Sequence, residues 1–175
     1  MKRLKQVLED ALDWWAPITV WAHCDIPCGI YDPHGAQLAA LTVVRMHQLI
    51  GELPKPGPQT TPEEREAYVH KLSRYTTVKE EHAELCKHDL RVIWGDYVTP
   101  EHLQKFPELH SLFWDAMKAA SKVRQEINPQ AAQDLLTKVQ KIAEIFWKTK
   151  GADTRRQPSQ QKSGGELVYP TASAK

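Results

Sequence analysis

From residue 32 to residue 150, apolar side chains return every three or four positions, and the runs break where proline and glycine stand. That spacing predicts four helices. The first opens at Asp32-Pro33, an N-cap followed by proline at the first helical position, and Gly51 is its stop. The second opens at the capping box Thr61-Pro62-Glu63-Glu64 and runs toward Trp94 to end at Gly95, with Tyr68, Leu72, Tyr75, Val78, His82 and Leu85 as its apolar side. The third carries Leu109, Leu112, Phe113, Ala116, Ala120 and Val123, and the fourth, capped by Asn128-Pro129, carries Leu135, Val139, Ile142 and Phe146. Connections are short except for Pro54-Lys55-Pro56-Gly57-Pro58. The expected fold is all-α, an antiparallel up-down four-helix bundle. Trp94, Trp114 and Trp147 are expected in its core.

The first helix departs from a clean amphipathic pattern. Leu38, Leu41, Val43, Val44, Met46, Leu49 and Ile50 spread around nearly its whole circumference, so it needs cover on a second side, which a neighbouring subunit would supply most simply. The tail, residues 151–175, is rich in Gln, Ser, Gly, Thr and Pro without periodicity and is expected to be disordered. Residues 1–22 begin with Lys2, Arg3 and Lys5, but Glu9, Asp10 and Asp13 interrupt any apolar run, so neither a secretory signal nor a membrane span is expected. A mitochondrial-type presequence would be poor in acids, and a cytoplasmic location is the default expectation. Leu4, Leu8, Ala11 and Trp15 also fit a first helix.

Composition narrows the picture. A chain of 175 residues with 41% hydrophobic content can bury one core, so a single domain is expected. The net charge of +1 leaves no clustered basic face, so nucleic acid is not expected as a partner. Three cysteines, an odd number without a secretory signal, argue for free thiols.

The chemistry concentrates in His23-Cys24-Asp25-Ile26-Pro27-Cys28-Gly29-Ile30-Tyr31-Asp32-Pro33. Imidazole, two thiols, a carboxylate and a phenol in so short a loop point to a metal site. A lone C-x₃-C without a second Cys/His pair cannot close a structural zinc site, and an iron–sulfur cluster wants four thiolates, whereas the remaining cysteine, Cys86, lies far away on a helix. What is left is a small chelate completed by backbone donors; two thiolates beside backbone nitrogen suit square-planar nickel or copper. Bundles also host di-iron centres built on Glu-x-x-His, but no Glu in this chain has a His three residues later. His82 and Cys86, one turn apart, lack a third ligand and read as packing residues.

The loop H-C-D-x-P-C-G-x-Y-D-P resembles the nickel hook of the nickel-containing superoxide dismutases. The resemblance continues through Arg74, Ala83-Glu84-Leu85, Trp94 with Asp96-Tyr97, Phe106-Pro107-Glu108-Leu109-His110 and Ile145-Phe146-Trp147, and spans roughly residues 23–150. It implies three parts: a leader, 1–22, removed by a maturation protease between Ala22 and His23; a hook and bundle, 23–150; and the tail. It implies a homohexamer, a nickel ion as cofactor and superoxide as substrate. The implied ligands are the His23 amine, the Cys24 amide nitrogen and the thiolates of Cys24 and Cys28, with the His23 imidazole axial in the oxidised state. Amide and thiolate donors favour the higher oxidation state and bring the Ni(III)/Ni(II) couple within reach of superoxide. Protons for H₂O₂ would come by way of ordered water near Tyr31, by Asp25 or by a bound thiolate, and Tyr31 and Tyr97 resemble the family's pair of phenols near the substrate entrance. Pro27 can supply the cis bond of a tight turn, Gly29 a positive φ or a close approach to the metal, and Asp25 an acceptor that closes the loop.

One departure from the family stands out. Members compared with this chain hold the axial imidazole through a glutamate on the first helix and an arginine on the second, and Ala39 and His82 occupy those places here. His82 is therefore a candidate to position His23 in the arginine's stead, the alternative being a group from a neighbouring subunit. A nickel carrier or sensor would use the same hook without turnover and would not need the two phenols.

Overall fold

A computed structural model of the protein describes residues 28–171. The leader and the hook residues His23, Cys24, Asp25 and Pro27 lie outside the described residues. Four long helices dominate: α1 (His34–Glu52), α2 (Pro62–Val92), α4 (Leu109–Gln125) and α5 (Pro129–Thr149). A single π turn (Ile93–Tyr97) and the short α3 (Pro100–Lys105) connect α2 to α4. Each long helix packs on the next in sequence and α5 returns to α1, so the four close an up-down ring as expected.

The helix starts follow from the sequence. Thr61 and Glu64 form the reciprocal capping box, and the Asn128 side chain accepts from Ala131 N. At α1 the helix begins one residue later than expected, at His34, whose N–H donates to Asp32 Oδ1 over 2.8 Å. The expected core faces of α4 and α5 are buried, Leu112 only partly. Alanines 36, 40, 83, 116, 120, 132 and 143 are wholly inaccessible and let the helix axes approach closely.

Three expectations are corrected. On α2 the buried stripe is Lys79, Ala83, Cys86 and Leu90; it is rotated from the expected side, and Leu85 is 52% exposed. The reason is geometric: among the described residues the first half of α2 is only partly covered, its tyrosines and Leu72 half-buried, and the packed half selects small residues at the crossing with α1 and α4. Lys79, 2% exposed, is admitted to this stripe because its Nζ donates to Arg124 O and Glu126 O, closing the C-terminal end of α4. Trp114 is not core but 58% exposed, with the Lys118 ammonium over its ring, and Trp94 is 37% exposed.

The third correction is the tail. Thr154–Pro158 (β1) and Glu166–Pro170 (β2) pair antiparallel, Arg156 opposite Val168, and the hairpin lies on α1 and α5. Leu167 and Val168 are 1% exposed, and the buried Gln37 of α1 clamps Val168, accepting from its N–H at 2.7 Å and donating to its carbonyl at 3.1 Å. Gln140 Nε2 donates to Glu166 O, and Gln48 Nε2 to Ser163 O. Gly165 (φ +76°) sits so close that a Cβ there would meet Leu41 Cδ1 at 3.2 Å. The hairpin covers part of α1's second side from within the same chain; Leu38 remains 40% exposed. Five-residue strands whose apolar content is the unbroken run Leu167-Val168-Tyr169 carry no alternation for a sequence reading to detect.

Candidate metal centre

The root of the metal-binding loop leaves the bundle where α1 begins and α2 ends. Gly35 allows the close approach there, because a Cβ would fall 2.6 Å from Asp89 Oδ2. A cleft of about 130 Å3 between the two helices is lined by Ile30, Tyr31, Asp32, Asp89, Val92 and Ile93. Beyond it Cys28 is an exposed thiol whose Sγ accepts from Ile30 N over 3.5 Å. Gly29 takes φ +71°, with no atom within 4 Å of where a Cβ would stand, so the left-handed backbone rather than crowding calls for glycine. The turn brings a soft donor to the protein surface with an N–H aimed at it, and such a donor suits nickel.

Tyr31 and Tyr97 are brought together, ring centroids 5.5 Å apart. Tyr97 is placed by the π turn, in which a wide bond runs from Val98 N to Ile93 O at 3.1 Å. Its ring stacks on His102 (5.2 Å, 26°) and meets Phe146 at 4.6 Å, while the Lys150 ammonium lies 5.5 Å from its centroid. Its hydroxyl is 2.6 Å from Thr149 Oγ1. His102, Thr149 and Lys150 were not among the residues singled out from sequence; the matched run Ile145-Phe146-Trp147, which ends two residues before Thr149, was the signal that could have found two of them.

His82 is half-buried on α2 and its Nδ1–H donates to Val78 O at 2.9 Å, leaving Nε2 as the free end of the ring. Ala39 packs into the core at 6% exposure. Cys86 is wholly buried; burial, with the Asp89 carboxylate adding to it, pushes the thiol up to about 12, so it stays protonated at neutral pH and is no nickel donor. Among the described residues no group of three or more His, Cys, Asp or Glu side chains could hold a metal. A separate cleft between α2 and α4 shares no residue with the loop root; there Glu84 pairs with Arg91 and Arg124 at 2.6 Å each. Burial works to raise the Glu84 carboxyl, but the two guanidiniums and Lys87 outweigh it and hold the carboxyl below its ordinary value. No described helix is long and apolar enough to cross a membrane.

Comparison with known proteins agrees with this geometry. Residues 18–150 match the family described as nickel-containing superoxide dismutase. The chain is 39% identical to Superoxide dismutase [Ni] of Streptomyces coelicolor over 135 residues, covering 77% of this chain and 93% of that protein. It is 37% identical to Superoxide dismutase [Ni] of Streptomyces seoulensis over the same shares. A native nickel superoxide dismutase crystal structure superposes with a TM-score of 0.63 at 38% identity, covering 73% of this chain and 99% of the other. The hairpin lies beyond the matched residues. With the family matched over most of its length and the thiol, glycine and paired phenols of the loop in place, the chain belongs to the nickel-containing superoxide dismutases.

Proposed function

We propose that the enzyme works as a processed hook: cleavage before His23 frees an α-amine, and His23, Cys24 and Cys28 then hold nickel. The chain is a nickel superoxide dismutase, an oxidoreductase. Bound nickel supplies a one-electron couple, so that two superoxide anions and two protons become O₂ and H₂O₂. The protein's own part is to present donors and control protons. Cys24 and Cys28 donate thiolate, Cys24 its amide nitrogen, and His23 its amine and imidazole; Asp25 and Pro27 hold the loop closed, and Gly29 turns it. Tyr31 and Tyr97 border the approach and order water there. His82 orients the His23 imidazole in place of an arginine.

The observation that carries this reading is the exposed Cys28 thiol, with an N–H directed at its sulfur, in a loop that leads directly to the Tyr31–Tyr97 pair. Assembly as a homohexamer is supported by the half-covered first part of α2 and by Leu38 on α1; a cytoplasmic location is supported by the charged leader. The test is maturation itself. Chain beginning at His23 should bind nickel in equimolar amount and dismute superoxide, while uncleaved chain should do neither; full activity in verified uncleaved protein would reject the processed hook.

A further inference from the structure

Thr149 has one hydroxyl proton and two close neighbours. Its Oγ1 is 2.6 Å from Phe146 O and 2.6 Å from Tyr97 Oη. A carbonyl can only accept, so the threonine proton goes to Phe146 O. The bond to Tyr97 then has one possible direction: the phenol donates and Thr149 accepts. The ring itself cannot swing away to relieve this, held between Tyr31, His102 and Phe146. What remains at Tyr97 is an oxygen lone pair.

From this we propose that Thr149 is a positioning residue for dismutation, committing Tyr97 to accept rather than donate a hydrogen bond at the approach to the metal. The inference rests on the reading of Tyr97 as an entrance phenol. Its consequence is specific. Superoxide carries no hydrogen, so a phenol whose proton is already engaged offers the anion nothing to bind; it accepts from water instead and keeps an ordered water beside the substrate path. The substrate is not trapped at the mouth, and a proton source stands next to its route. Without Thr149 the phenolic proton turns outward and becomes a donor to anions.

The experiment uses Thr149→Val, which keeps the branched shape and removes the acceptor, with Thr149→Ser as rescue and Thr149→Ala as a second variant should valine disturb folding. The first readout is independent of nickel: the 13Cζ resonance of Tyr97 in the uncleaved chain labelled at tyrosine, assigned through Tyr97→Phe. Thr149→Val and Thr149→Ala should move it, and Thr149→Ser should not. The second is turnover of the processed, nickel-loaded enzyme, expected to fall roughly fivefold in Thr149→Val, the reach of one neutral hydrogen bond, and to recover in Thr149→Ser. Chloride should inhibit Thr149→Val more than the parent. An unmoved resonance, or a moved one with unchanged turnover and chloride sensitivity, overturns the proposal. If Tyr97→Phe is impaired while Thr149→Val is not, only the role of Thr149 falls; if Tyr97→Phe turns over fully, the entrance reading of Tyr97 falls and takes the proposal with it.

Discussion

Cys28 and Cys86 are the same side chain in opposite surroundings. Cys28 stands in an exposed turn outside the bundle, its sulfur met by a backbone N–H; Cys86 is sealed among helices with its thiol pushed up to about 12. One environment leaves the sulfur at the surface; the other buries it and disfavours the charge. Position in the fold, not residue type, separates the proposed ligand from the packing residue.

The strongest way to break this comparison is to remove each sulfur in turn. Cys28→Ser should abolish nickel binding and dismutase activity, since a hydroxyl is too hard and too weakly acidic to replace a soft donor. Cys86→Ser should keep nickel and activity while losing about 1–3 kcal/mol of stability, from a hydroxyl buried among apolar helices. Nickel analysis and chemical denaturation check both. Nickel lost from the Cys86 variant and kept in the Cys28 variant would reverse the assignment.

Next comes the residue expected to act on the exposed centre from the bundle. His82→Ala should leave the fold and the nickel content intact and lower turnover about 10- to 100-fold, with His82→Gln losing less. Hyperfine splitting in the electron paramagnetic resonance spectrum reports the axial nitrogen; unchanged splitting and turnover would return His82 to a plain structural place.

The hairpin sharpens the comparison by asking whether the core closes on itself. Leu167→Ala removes a buried side chain and should cost about 2–4 kcal/mol in thermal or denaturant unfolding, with nickel binding kept. Gln37→Leu strands both backbone groups of Val168 and should cost about 1–3 kcal/mol. No loss in either variant would mean that the hairpin only rests on the helices.

The last expected effect is a pH dependence confined to alkaline solution. The folded Cys86 thiol holds its proton up to about 12, above its ordinary value of 9.0. Above pH 9 the unfolded chain loses this proton and the folded one keeps it, so stability falls as pH rises from 9 toward 12, by at most about 1.4 kcal/mol per pH unit. Below pH 9 the contribution is fully present. Cys86→Ala should flatten this part of the alkaline stability curve relative to the parent.

The sequence by itself determined the four long helices, the N-terminal caps of α2 and α5 and the core faces of α4 and α5, because a period of three to four residues and a local capping bond are properties of neighbouring residues. It marked the proposed metal-binding loop for the same reason: candidate ligand types and a turn-forming glycine stand side by side, and Gly29 takes a positive φ. Only the tertiary structure decided which stripe of α2 is buried, since Tyr68, Tyr75 and Leu85 look as apolar as any core residue and, among the described residues, are covered only in part. It also decided that the polar tail folds, because the stability of that hairpin resides in Gln37, Gln140 and the Leu41–Leu136 surface, more than a hundred residues distant in the case of Gln37. The bond between Tyr97 and Thr149 belongs to the same class: two hydroxyls brought within 2.6 Å across fifty-two residues leave no trace in local spacing, and only their meeting gives the phenol its direction.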